Sequence, residues 1–309
     1  MMNTYWSQKT YRRVIQAFGS RFYIDANRDQ RKTILVAGAA RSGTTWLADL
    51  ISAQIPCRII FEPFNPELVV EYRAYQYFQY MKPGERDDAL YAFAQKVFSG
   101  KIRDHWIDRK NEILLPGFRL VKEIRANLIL KWLHDNFPQV PLLFIIRHPC
   151  AVVLSRMELG WATDRDIKPF FTQPYLIQDH LSEHIDTMKA ANSEEEKHAV
   201  IWCVSNLVPL KQFPPGDLRI VFYENLCKRP EEEFSKIIQT IQLENKPLRT
   251  IPADKPSTTS SMTSAVVTGE DKISRWKKHL TSDQVTKILK VVSEFGLNYL
   301  YDESLMPLG

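Results

Sequence analysis

Long apolar runs are missing from this chain: no stretch of about 18 apolar residues occurs in its 309 positions, so no membrane-spanning helix is expected. Cysteine is scarce. Cys57, Cys150, Cys203 and Cys227 lie far apart with no CxxC pair, which excludes a disulfide framework or a zinc ribbon and points to reduced thiols in a cytoplasmic setting. The N-terminus lacks the apolar core of a secretory signal, and no internal repeat or long low-complexity tract is present. With 44% hydrophobic and 25% charged residues, the composition excludes disordered and fibrous classes.

A dominant charge is also lacking once position is considered. Lys and Arg number 41 against 36 Asp and Glu, a formal charge of +5. Residues 1–41 hold eight basic side chains and two acids, Asp25 and Asp29, whereas the remainder holds 33 basic and 34 acidic residues. A polyanion-binding protein spreads basic residues over a working face, so nucleic-acid binding is excluded as the main activity. Residues 1–32 form a basic segment that Trp6, Phe18 and Phe22 make suitable for an amphipathic helix. It docks either on the protein's own core or, as a peripheral contact, on an anionic membrane surface.

What is present is an alternation of strands and helices. Short apolar, β-branched runs predict strands at 33–38, 57–61, 118–122, 141–147 and 218–223. Helical patterns occupy 44–54, 85–98, 126–136, 149–158, 175–190, 194–212, 230–242 and 282–295. The order predicts a three-layer α/β fold with a mostly parallel sheet, as one domain over 33–309. The connection 62–117 far exceeds an ordinary βα loop and is expected, with 160–200, to carry substrate contacts. Tyr72, Tyr75, Tyr77, Phe78 and Tyr80 crowd one part of it, either as core or as a platform for a ring or sugar face. Residues 256–268 are rich in Ser and Thr and form either a surface linker or a polar flap.

The sharpest feature is Gly38-Ala39-Ala40-Arg41-Ser42-Gly43-Thr44-Thr45-Trp46, between the first strand and its helix. A glycine turn opening a helix makes an anion cradle, because free backbone N–H groups and the helix dipole face the ligand. The spacing of Gly38 and Gly43 matches a Walker A loop, but Thr44 stands at the lysine position and the cation has moved to Arg41. The strand at 142–147 ends in Arg147 instead of a metal-binding acid. The loop therefore suits a 5′-phosphate group without a metal better than a Mg²⁺-nucleoside triphosphate. Arg147-His148-Pro149, with Ser155 two turns further on, delivers a second cation to the carboxyl end of a strand.

Together the two motifs resemble those of the sulfotransferases that use 3′-phosphoadenosine 5′-phosphosulfate (PAPS). Arg41-Ser42-Gly43-Thr44-Thr45-Trp46-Leu47 is similar to their 5′-phosphosulfate loop, and Arg147-His148-Pro149 with Ser155 to their 3′-phosphate motif. Phe61-Glu62-Pro63, Leu120 to Arg125, and Val221 to Leu226 resemble further segments of carbohydrate-acting members. The resemblance implies a P-loop-like sulfotransferase fold and PAPS as donor, with no metal. Its donor site would comprise Arg41, Ser42, Gly43, Thr44, Thr45, Trp46, Arg147, Ser155, Tyr223 and Arg275, with Trp276 and Lys277 as further contacts. It implies an acceptor hydroxyl on a small molecule, glycan or lipid.

The catalytic residues implied are Glu62, Lys122 and Arg41. Cytosolic members use a histidine near the central-strand lysine as base, but residues 120–125 hold none and the nearest is His105. Glu62 is the carboxylate candidate, its apolar neighbours suggesting a raised pKa; its structural alternatives are an N-cap or a salt bridge to Arg58 or Lys122. Sulfuryl transfer is expected to run in line, with Arg41, Thr44, Thr45 and Lys122 stabilising charge. Two rivals stand beside it: a degenerate P-loop kinase using Mg-ATP, and an inactive nucleotide-binding homologue.

Overall fold

Strand β1 (Thr33–Gly38) is buried at every position. Its run TILVAG sends Ile34 and Val36 to one face of the sheet and Leu35 and Ala37 to the other, and both faces are covered. The computed structural model describes residues 22–243 and 270–308. Beside β1 lie β2 (Cys57–Phe61), β3 (Phe118–Glu123), β4 (Leu142–Ile146) and β5 (Arg219–Phe222), in the order β2-β3-β1-β4-β5. Every pairing is parallel. On one face, Ile34, Val36, Leu120 and Ile145 pack with apolar residues of the helices Thr44–Gln54 and Pro230–Thr240. On the other, Leu35, Ile60, Val121 and Phe144 meet Asp88–Phe98, Pro149–Met157, Glu194–Gln212 and Ser282–Glu294. The result is the three-layer α/β fold with a parallel sheet.

β1 has β3 on one side and β4 on the other, so chain connections diverge above its carboxyl end and leave a crevice there. The loop after β1, the end of β3 and the residue after β4 meet at this edge. At the opposite, amino edge, residues 22–29 are extended, and no helix continues through this part of the basic segment. Asp25 pairs with Arg58 at 3.2 Å and Arg119 at 2.9 Å, all three buried. Trp6 and Phe18, like the Ser/Thr-rich 256–268, lie outside the described residues.

Two local expectations change and one open alternative is decided. The helix expected over 175–190 is broken: a turn at Pro174–Leu176 runs into a π-helical stretch, Ile177–Leu181, then a 3₁₀ turn and a short helix, Ile185–Ala190. The wider π turn lets both Asp179 and His180 reach the Tyr80 hydroxyl. The strand expected over 218–223 stops at Phe222, and Tyr223 begins the helix Tyr223–Lys228. The aromatic row is core: Tyr72, Tyr77, Phe78 and Tyr80 are buried, and Tyr75 stacks on Tyr72 at 4.8 Å.

Candidate active site

The glycine loop is built by two close approaches. Gly38 pairs with Ile145 across β1 and β4, and a side chain there would run into the Ile145 carbonyl. Gly43, at φ +97°, precedes the helix Thr44–Gln54 without a side-chain cap. Its hydrogen-only side faces Tyr223, whose Cδ2 would lie 2.6 Å from an added Cβ. Arg41 also adopts a left-handed conformation, φ +73°, the strained kind found where the backbone must present a group to a ligand. Gly43→Ala is therefore expected to displace Tyr223 and weaken binding of a nucleotide phosphate in the loop about tenfold or more, as measured by calorimetry. Unchanged affinity would show that the loop tolerates the shift.

The loop borders a cleft of about 460 Å³ at the carboxyl edge of the sheet. Among the described residues, seven basic side chains line it (Arg41, Arg109, Lys122, Arg125, Arg147, Lys272 and Arg275) against two acids, Glu62 and Glu158. Burial, with Arg147 and Arg156 close by, pushes the Arg41 pKa down to about 10. This is the mark of a cation short of counter-charge. Arg41 Nε donates to Ser155 Oγ at 2.9 Å, so Ser155 orients Arg41 here. Arg147 donates to the carbonyls of Arg41 at 3.3 Å and Lys272 at 3.1 Å, and its guanidinium lies 4.3 Å above the Tyr223 ring. Its Nε is buried without a hydrogen-bond partner among the described residues.

Glu62 lies in a left-handed conformation, φ +46°, just beyond β2. Because Phe61 is in register with Lys122, the carboxylate reaches Lys122 Nζ at 2.5 Å through Oε1. Arg125 grips Oε2, also at 2.5 Å. Burial alone would raise the Glu62 pKa, but Lys122 and Arg125 outweigh it and hold the group below the usual carboxylate range. The raised pKa expected from its apolar neighbours is thus reversed. Of its structural alternatives, the Lys122 bridge is present, whereas Arg58 pairs with Asp25 and Asp108. Burial lowers the Lys122 pKa, with Glu62 opposing the shift. Glu123 staples the site from below, accepting from Phe64 N at 3.0 Å, Ile124 N at 2.7 Å and Arg125 N at 2.8 Å.

The cleft gathers most of the residues expected from sequence. Gly43, Thr44, Thr45, Trp46 and Tyr223 line it, and Trp46 packs on Tyr223 at 5.1 Å. Ser42 is fully buried and outside the lining. Arg275 is in the lining but engaged with Glu158 and Glu270, each at 2.6 Å. Trp276 also lines the cleft and stacks on His148 at 4.4 Å. Lys277 is exposed outside the lining. His105 is exposed, and among the described residues no histidine lines the cleft. Burial drops the His148 pKa to about 4, so this ring is a neutral helix cap.

The long connection 62–117 adds Trp106 and Arg109, while 160–200 contributes only Trp161 among the described residues. Trp106 and Arg109 form a wall, the guanidinium 3.4 Å from the indole centroid and 4.2 Å from that of Phe61. Only a Trp and an Arg three residues apart, the spacing of one helical turn, signalled this pair in the sequence.

A glycine loop and converging cations at the carboxyl edge of a parallel sheet define an α/β protein with a P-loop-like anion crevice. The sequence matches the model of the sulfotransferase family over residues 33–247, and the chain belongs to that family. No curated protein matches it. Similar solved structures include a sulfotransferase domain from the curacin biosynthetic pathway, with 15% identity, 85% of this chain and 96% of that chain covered, and a TM-score of 0.44. A mouse sulfotransferase complexed with PAP has 14% identity, with 94% and 90% covered and a TM-score of 0.43. A sulfotransferase from Alicyclobacillus acidocaldarius has 11% identity, with 86% and 94% covered and a TM-score of 0.42.

Proposed function

We propose that the chain transfers a sulfuryl group from PAPS to a hydroxyl of a small-molecule, glycan or lipid acceptor, with Glu62 as general base. The observation that carries this reading is the convergence of Arg41, Lys122 and Arg147 with Glu62 on one cleft. When bound, the donor supplies the sulfuryl group, and adenosine 3′,5′-bisphosphate is the leaving group. Arg41, the amides of the glycine loop, Thr44 and Thr45 suit the 5′ end; Arg147 and Ser155 suit the 3′-phosphate; Trp46, Tyr223 and Trp276 offer aromatic surface for the base. The underbonded Arg147 Nε and the crowded charge of Arg41 are what such a polyanion would satisfy.

Lys122 is shared between Glu62 and the cleft. As its ammonium turns towards an anion in the cleft, Glu62 keeps Arg125 on Oε2 and presents Oε1 to the acceptor hydroxyl. The carboxylate then takes the proton while the hydroxyl oxygen attacks sulfur and the bond from sulfur to the 5′-phosphate oxygen breaks, releasing adenosine 3′,5′-bisphosphate. Glu158, the other acid of the lining, is held by Arg275. All four cysteines are free thiols, three of them buried, which suits a reducing, cytoplasmic setting.

A thermal-shift panel tests the donor. Adenosine 3′,5′-bisphosphate without metal at about 100 Kd should stabilise the protein by about 2.7 kcal/mol, and Mg-ATP should not. The reverse result favours a kinase. Binding without turnover of any alcohol favours an inactive homologue.

A further inference from the structure

The amino edge of the sheet, opposite the cleft, carries an apolar patch that the reaction does not use. Phe22, Ile24, Leu114 and Leu115 are 62, 66, 53 and 71% exposed. Ile24 N donates to Leu114 O at 2.8 Å, which lays the two segments side by side. The extended backbone alternates, so Tyr23 and Asp25 turn inward while Phe22 and Ile24 turn out. The inward pair is anchored: Tyr23 donates to Asp108 at 2.9 Å, and Asp25 holds Arg58 and Arg119. The outward side chains are therefore presented on a fixed backbone, and a partner binding them costs little ordering entropy.

Two exposed arginines stand beside the patch; the acids next to it in the chain are half-buried, Glu112 and Asp104, the latter accepting from Trp106 N at 2.7 Å. Arg103, an exposed residue, donates to Tyr23 O at 3.0 Å and covers its ring at 4.2 Å. Arg28 is exposed nearby and donates to Ser99 O at 3.3 Å. The acids of the segment are engaged, Asp25 inward and Asp29 with Arg31 at 2.9 Å. In sequence, Arg21 directly precedes Phe22. Clustered aliphatic tips beside exposed arginines match one environment best, an anionic lipid headgroup layer with hydrocarbon beneath it. A nucleic acid would meet the cations but offers no apolar phase for the leucines.

We infer that this edge docks on the surface of an anionic phospholipid bilayer. Docked in this way, the protein turns its cleft towards the water. The proposal stands apart from the sulfuryl-transfer reading and is tested without it.

The test is flotation of the full chain with phosphatidylcholine vesicles, with and without phosphatidylserine. The protein should float with the serine lipid, less so at high salt, and not with phosphatidylcholine alone. Leu114→Gln with Leu115→Gln should cut partitioning about tenfold while leaving the thermal midpoint unchanged, since both side chains already face solvent. Three results would overturn it: wild-type protein that stays unbound, a double variant that floats like wild type, or lipid-free self-association that the same variant abolishes.

Discussion

Glu62→Gln should lower kcat for sulfuryl transfer by about 10²–10⁴-fold, the usual contribution of a general base, while binding of adenosine 3′,5′-bisphosphate is kept or tightened. The amide cannot accept the acceptor's proton. It also no longer competes for Lys122 and Arg125, which the carboxylate holds at 2.5 Å each, so an incoming anion meets two less occupied cations. Turnover within a few-fold of wild type would remove Glu62 from the mechanism. The pH profile gives a second check. Lys122 and Arg125 hold the Glu62 carboxyl below its usual range despite burial, so the base stays ionised through neutral pH. Activity should fall only as pH drops through that lowered value. Arg125→Met removes one of the two cations, so the acid limb should move upward. An unmoved limb would mean that another group titrates there.

Asp25→Ala should destabilise the fold by about 3–5 kcal/mol, the cost of leaving buried charge without its partner, read as a lower urea midpoint. The carboxylate is the shared anion of Arg58 and Arg119, and Asp108 takes only the Nε of Arg58. Arg119 would be left with Thr33 Oγ1 and backbone carbonyls. Such a loss is a large part of the stability of an ordinary domain. A loss under about 1 kcal/mol would show that the arginines find water instead. Asp25→Asn keeps the shape and should cost less.

Both predictions rest on contacts that span the chain, and here sequence and structure divide. Strands β1 and β4 were legible because each is a short apolar run buried at every position, and β2, β3 and β5 because each keeps two or three adjacent apolar residues. The glycine loop was legible because its spacing before a helix start is a local pattern, although the close approaches that demand the glycines, of Ile145 to Gly38 and Tyr223 to Gly43, come from far along the chain. The state of Glu62 was not: its neighbours in the chain, Phe61 and Pro63, are apolar, whereas its neighbours in space are Lys122 and Arg125. The aromatic row of 72–80 divides the same way, since composition alone serves core and binding platform equally well.

By itself, then, the sequence determined the alternation of strands and helices, the phosphate-type loop, and the short set of cations and one carboxylate from which a site is drawn. These are matters of periodicity and spacing, and they act over a few residues. Only the tertiary structure decided which of those side chains meet and what charge each feels. Strand order puts β3 between β2 and β1, and that placement turns Glu62 from a carboxyl among apolar neighbours into an anion clamped by two cations. Partners and dielectric belong to the packed whole, and no stretch of chain carries them.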